Sequence, residues 1–161
     1  MGRFPLFAAL AVSAVALSTA SAQVERKPPY WASIAQGKAL MRTGPGRNYP
    51  GTWLYVRPDL PIHVIATYPN WRRIEDPDGE KGWMLQHLLS DARTGLVKAG
   101  DPRPLYEKPD EHSAVRYRVQ AGVIGRISKC DGSLCLFDVH GRRGYIEENQ
   151  IWGVDQGERI D

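Results

Sequence analysis

The residues in this chain whose side chains could do chemistry begin with two cysteines. Cys130 and Cys135 flank the four residues Asp-Gly-Ser-Leu. The segments on either side read as strands, and a four-residue loop with Asp-Gly between two strands is typical of a β-hairpin. Such a hairpin would place the two thiols side by side. We therefore predict a Cys130–Cys135 disulfide, which would stabilise the fold by about 2 kcal/mol. A catalytic thiolate and a metal site remain the functional alternatives.

Neither alternative finds support elsewhere in the sequence. A metal would need further ligands, and none of the histidines has helical i, i+4 spacing. These four are His63, His87, His112 and His140. Glu147 and Glu148 are adjacent, so in a strand they would point to opposite faces. The chain has no Gly-x-Ser-x-Gly sequence, and Gly44-Pro-Gly lacks the Lys-Ser/Thr that completes a phosphate loop. We expect no catalytic residue, no metal and no cofactor, and hence no enzyme.

Composition indicates which elements must position these residues. The 161 residues include 16 glycines and 12 prolines, a frequency that favours many short strands joined by turns. The net charge of +3 is small and the Lys and Arg residues are not clustered, so a nucleic-acid partner is not expected.

The first residues have the pattern of an export signal. A short basic start precedes the apolar run Leu6–Leu17, and small residues lead to a predicted cleavage between Ala22 and Gln23. The alternative is a membrane anchor, but a span needs about 20 apolar residues. Residues 1–22 are thus predicted to be a signal peptide, and residues 23–29 a tether. The mature protein would then be periplasmic or secreted, with no membrane span, in a compartment where disulfides form.

The remainder reads as one small β unit repeated twice. Pro104-Leu-Tyr stands where Leu40-Met-Arg stood, and Gly144-Tyr-Ile stands where Gly82-Trp-Met stood. We assign residues 30–94 to the first unit, residues 95–155 to the second and residues 156–161 to a tail. The predicted fold is all-β, with two small β-barrels in tandem. Units of about 60 residues lie near the lower size limit for folding alone, which suggests that the two pack on each other.

Several motifs of the first unit resemble those of a known family. The stretch beginning Ala39-Leu-Met-Arg-Thr-Gly-Pro-Gly, with Trp71-Arg-Arg-Ile and Gly82-Trp after it, resembles the bacterial SH3 (SH3b) family. The longer string from Tyr30 to Thr94 is similar to an exported, tandem-repeat proteobacterial subfamily whose ligand is unknown. The resemblance implies SH3-like barrels and a binding role in the cell envelope. The second unit has Asp101-Pro-Arg-Pro instead of Arg-x-Gly-Pro, so a site in the first unit need not recur there.

Aromatic and basic residues of the first unit are the candidate ligand groove. Rings that line a groove offer flat contact area to peptides or sugars. Three of them follow Gly46 in the segment that corresponds to the large loop of SH3-like barrels, and Arg42, Arg47 and Arg57 border it. Trp71 lies mid-strand and could instead belong to the core. The candidate residues are Arg42, Tyr49, Trp53, Tyr55, Arg57 and Trp71.

Together these features predict a binding module of the cell envelope. The leading expectation is recognition of peptidoglycan or its peptide. The alternative is an adaptor that binds an extended peptide of an envelope protein partner. A third reading is a structural module whose groove is degenerate.

Overall fold

The computed structural model describes residues 26–35 and 37–161. The predicted signal peptide, and the predicted cleavage between Ala22 and Gln23, lie outside the described residues. Within the described part, no helix is long and apolar enough to cross a membrane.

The first unit is a seven-stranded antiparallel sheet with the spatial order β3-β2-β6-β5-β4-β1-β7. Its strands are β1 (Tyr30–Ile34), β2 (Ala39–Arg42), β3 (Gly51–Tyr55), β4 (Pro61–Tyr68), β5 (Trp71–Glu75), β6 (Lys81–Leu85) and β7 (Leu89–Ser90). One 3₁₀ turn, Gln86–Leu88, joins β6 to β7.

The second unit is an antiparallel sheet with the order β10-β9-β13-β12-β11-β8-β14, and β15 pairs with β11. Its strands are β8 (Thr94–Val97), β9 (Arg103–Tyr106), β10 (Val115–Val119), β11 (Ile124–Asp131), β12 (Leu134–Val139), β13 (Arg142–Glu147), β14 (Ile151–Trp152) and β15 (Arg159–Ile160). A 3₁₀ turn, Glu148–Gln150, joins β13 to β14.

The two sheets have the same strand order, because each strand of the first unit corresponds to the strand numbered seven higher in the second, as β1 does to β8. The predicted tandem repeat and the predicted all-β class are therefore confirmed. The prediction of barrels needs correction, because each sheet is open. Within the described residues, β3 pairs only with β2, and β7 pairs only with β1. β7 has two residues, which is too short to continue the ladder and close it.

Each unit has its own apolar core. The β-branched residues of β4 alternate inward, and Ile62 and Val64 are fully buried. A register shift after Val64 ends that alternation, so Ala66 is only partly buried. In the second unit the core includes Phe137 and both cysteines.

Glycines in β6 and β13 allow neighbouring strands to approach closely in each unit. A Cβ atom on Gly82 would lie 2.5 Å from Met41 Cγ and 2.8 Å from the Arg42 carbonyl oxygen. A Cβ on Gly144 would lie 2.6 Å from Leu105 Cβ. Only a residue without a side chain lets β6 meet β2 here, and this places the next residue, Trp83, directly opposite Arg42.

The two units pack on each other through a ring cluster. Trp31 of β1 stacks on His63 with ring centroids 4.6 Å apart, and meets Trp152 of β14 edge-on at 4.9 Å. Trp31 Nε1 also donates a hydrogen bond to Asp155 Oδ1 at 3.1 Å. Trp31 is 7% exposed, so its ring serves the contact between the units and is not accessible to a ligand.

The end of the chain is held by ionic and backbone contacts. Arg93 donates two hydrogen bonds to the Glu158 carboxylate, at 2.6 and 2.9 Å, and a third to the Gly153 carbonyl oxygen at 2.9 Å. β15 then pairs with the end of β11 next to Cys130. Residues of the predicted tail therefore extend the second sheet.

Candidate ligand-binding surface

In the loop between β2 and β3, the Tyr49 ring packs against Gly44 and Gly46 and is partly exposed to solvent. A Cβ on Gly44 would overlap the Tyr49 ring, and a Cβ on Gly46 would lie 3.1 Å from Tyr49 Cδ2. Arg42 Nη1 donates a hydrogen bond to the Tyr49 carbonyl oxygen at 2.7 Å. The Gly-Pro-Gly sequence thus shapes the loop, and the Tyr49 ring remains 43% exposed.

β3, which follows this loop, carries further exposed apolar side chains at the edge of the sheet. Trp53 pairs with Met41 of β2, yet it is 53% exposed, because β3 is an edge strand of the described sheet and pairs there with β2 alone. Leu54 and Val56 are 55% and 66% exposed. Exposed large apolar side chains in an open edge strand are the exception in natural sheets, which usually protect such edges with charge.

Tyr55 has a different role from its neighbours in β3. Its hydroxyl group donates a hydrogen bond to Asp76 Oδ2 at 2.8 Å. Asp76 Oδ1 in turn accepts hydrogen bonds from the backbone N–H groups of Asp78 and Glu80, which shape the β5–β6 turn. Burial, together with the hydrogen bond to the Asp76 carboxylate, raises the pKa of Tyr55 far above its ordinary value. Tyr55 therefore fastens β3 to that turn.

Two further predicted groove residues lie away from Tyr49 and Trp53. Arg57 Nη2 donates a hydrogen bond to the Gly122 carbonyl oxygen of the second unit at 2.5 Å. Trp71 is 7% exposed and pairs with Tyr68 and with Leu85. The structure brings together Arg42, Tyr49 and the exposed end of β3, whereas it places Arg57 between the units and buries most of Trp71.

The outer face of the first sheet carries an aromatic pair that the sequence did not single out as a site. The Tyr68 ring meets the Trp83 ring edge-on, with centroids 6.4 Å apart and planes at 79°. Tyr68 is 54% exposed. Trp83 pairs directly with Arg42, so this ring pair adjoins the arginine that holds the Tyr49 loop. The Gly82-Trp83 motif was the sequence signal, but it does not reveal which strands lie on either side.

Cys130 and Cys135 form the predicted disulfide, with Cα atoms 4.1 Å apart. The side chains are 2% and 0% exposed. Among the described residues, potential metal-ligating atoms converge at one place, where both sulfurs and a Glu148 carboxylate oxygen lie within 4.8 Å of one another. Because the sulfurs are bonded to each other, they offer no thiolate to a metal or to a substrate.

The chain consists of two antiparallel β units with the same strand order, and the first has an exposed loop that carries Tyr49. The family model described as "Bacterial SH3 domain" matches residues 35–91 and 99–153, one match for each unit. The chain therefore belongs to the bacterial SH3 domain family.

Solved structures give more distant likenesses. NlpC2 from Trichomonas vaginalis is 16% identical with a TM-score of 0.34, and the match covers 80% of this chain and 49% of that one. An NlpC/P60 family protein from Bacillus cereus is 12% identical with a TM-score of 0.34, over 76% of this chain and 55% of that one. This chain thus matches about half the length of these structures. No curated protein matches the chain significantly.

Proposed function

We propose that the protein is a non-catalytic, extracytoplasmic binding module that recognises a cell-envelope ligand such as peptidoglycan or its peptide. The observation that carries the proposal is that Tyr49 and Trp53 are exposed, in a loop and strand where Arg42 donates a hydrogen bond to the Tyr49 carbonyl oxygen. The apolar core of the first unit does not include either ring, so both are available for contact with a ligand. Membership of the bacterial SH3 family and the export pattern of the sequence support an envelope setting.

The second unit supplies a matched control for this surface. Trp53 pairs with the buried residue Met41, and Tyr117 pairs with the buried residue Leu105 in the same place of the repeat. Tyr117 is 40% exposed. A Trp53→Ala variant and a Tyr117→Ala variant therefore remove an exposed ring from equivalent strands of the two units.

The test is co-sedimentation of the mature protein with purified sacculi at low salt. We expect retention of the wild-type protein, unchanged retention of Tyr117→Ala and a loss of about tenfold or more for Trp53→Ala, the effect of truncating a central aromatic contact. Circular dichroism verifies that both variants are folded. Absence of wild-type retention would overturn the proposal. Equal losses of retention in both variants would contradict a binding site that is confined to the first unit.

A second candidate function is favoured by one specific observation, the open edge of β3. Gly51–Val56 contains no charged residue, whereas its counterpart β10 carries Arg116 and Arg118. An unprotected edge can accept an extended peptide as an additional strand. The protein would then be an adaptor for an envelope protein partner.

Photo-crosslinking in the native host distinguishes the adaptor from the wall-binding module. A photoreactive amino acid in place of Leu54 should yield one discrete protein adduct if the adaptor function holds. The same replacement at Arg118 is the control and should yield none. Adducts with wall material alone, or equal adducts from both positions, would contradict the adaptor function.

A further inference from the structure

A short row of side chains crosses the outer face of the first sheet. Trp83 of β6 pairs directly with Arg42 on one side and with Arg73 of β5 on the other. Directly paired residues of neighbouring strands point to the same face of a sheet. That face is the outer one, because Ile74 and Met84, which follow Arg73 and Trp83 in sequence, are 0% exposed in the core.

The indole of Trp83 is held in place by its surroundings. Gly82 lets β6 approach β2 closely, and the edge-on Tyr68 ring limits rotation of the indole from the side of β4. No guanidinium group within the described part of the chain stacks over the Trp83 ring; the cation–π contact in that part is between Arg26 and Tyr30. Trp83 is only partly buried, and a held, partly exposed ring is suited to stacking against a flat ligand.

Neither arginine of the row has an acidic partner among the residues that the structure describes. Arg42 donates to a backbone carbonyl, and Arg73 makes no hydrogen bond or ion pair with any described residue. The neighbouring row differs, since Lys81 there is paired with Glu75 at 3.4 Å. Two cations on either side of an aromatic ring, neither of them neutralised by a carboxylate, form a surface complementary to an anion.

We propose that Arg42, Trp83 and Arg73 bind an anionic saccharide, a sugar ring that carries a carboxylate or a phosphate. The C–H face of the sugar stacks on the indole, and the anion accepts charge-assisted hydrogen bonds from the guanidinium groups. A peptide main chain fits less well, because the row lies in the middle of a sheet whose backbone groups are already paired. The inference rests on the proposed function, since it names the chemistry of the envelope ligand.

The second unit lacks this site. The corresponding row is Tyr106, Tyr145 and Leu136, which pair across β9, β13 and β12. It offers aromatic rings without a cation. The chain should therefore bind one anionic saccharide, through its first unit.

The experiment is calorimetric titration of the mature protein with two disaccharides that differ mainly in one acidic group. These are N-acetylglucosaminyl-N-acetylmuramic acid, which has a free lactyl carboxylate, and the neutral N,N′-diacetylchitobiose, called chitobiose below. Digalacturonate serves as an acidic disaccharide that does not come from peptidoglycan. We expect one acidic disaccharide per chain and binding of chitobiose at least about tenfold weaker, the effect of one lost charge-assisted contact. Whichever acidic sugar binds more tightly identifies the source of the ligand.

Arg73→Gln is the informative variant, because Arg73 is exposed and its loss should leave the fold intact. We expect about tenfold weaker binding of the acidic disaccharide. Arg142→Gln removes an arginine of the second unit that is also exposed, and this variant should bind as the wild type does. Equal affinity for chitobiose, or unchanged binding by Arg73→Gln, would overturn the inference. If neither acidic sugar binds while sacculi still retain the protein, the inference fails and the proposed function stands.

Discussion

Trp31 of the first unit and Asp155 of the second are joined by a hydrogen bond of 3.1 Å from the indole nitrogen to the carboxylate. The same indole stacks on His63 of its own unit and meets Trp152 of the other edge-on. One side chain therefore has both polar and aromatic contacts across the boundary between the units. Because units of this size bury little surface alone, such contacts should couple the stability of the two.

Trp31→Phe tests this coupling. The variant keeps an aromatic ring for His63 and Trp152 but removes the donor to Asp155. We expect a loss of about 1 kcal/mol in the free energy of unfolding, the usual cost of one hydrogen bond. Urea denaturation of Trp31→Phe, of Asp155→Ala and of the double variant measures it. Single losses that add in full in the double variant would show that the two residues are not coupled.

Stability towards acid should depend on Glu158. Burial raises the pKa of its carboxyl, but the hydrogen bond from Arg93 and the backbone N–H of Asp155 lower it more, so the pKa in the folded protein lies below the ordinary value. A group of this kind stabilises the fold above its unfolded pKa, which is about 4.3 for Glu. The contribution disappears as the pH falls through the folded pKa.

The measurement compares the free energy of unfolding of wild type and Glu158→Gln between about pH 6 and pH 3, around the ordinary Glu value. The wild-type protein should be the more stable at the upper end, and the difference should shrink towards the lower end. Arg93→Gln should reproduce the pattern, because it removes the other half of the ion pair. A difference that is constant with pH would contradict this role.

The disulfide should stabilise the second unit without taking part in binding. Asp131 Oδ1 accepts hydrogen bonds from the backbone N–H groups of Ser133 and Leu134, both at 2.9 Å, so the hairpin turn has its own support. Replacing both Cys130 and Cys135 by alanine should therefore leave a folded protein. We expect a loss of about 2 kcal/mol in the free energy of unfolding and unchanged retention on sacculi. Lost retention in a folded double variant would assign the disulfide to the ligand site.

The disulfide and the repeat could be predicted from local sequence patterns, because hairpins, turns and the alternation of apolar and polar residues in strands are each encoded within a few residues. The outer-face row could not be predicted in this way. Arg42 and Trp83 stand 83 − 42 = 41 residues apart, and their pairing depends on the register of β2 against β6. Exposure is also non-local. Trp53 and Tyr55 are two residues apart and so point to the same side of β3. Tyr55 nevertheless reaches Asp76, whereas Trp53 remains exposed to solvent.

Gly82 connects the fold to the proposed saccharide site, so Gly82→Ala should affect both. The added Cβ would lie 2.5 Å from Met41 Cγ and 2.8 Å from the Arg42 carbonyl oxygen, so β6 must move away from β2. We expect a loss of about 1–3 kcal/mol in the free energy of unfolding, as for an overpacked core. In the folded fraction, the displacement separates Trp83 from Arg42 and should weaken binding of the acidic disaccharide. Gly37→Ala is the control, since a Cβ on Gly37 has no described atom within 4 Å. Wild-type stability and affinity in Gly82→Ala would show that the close approach of β6 to β2 is not what aligns the two residues.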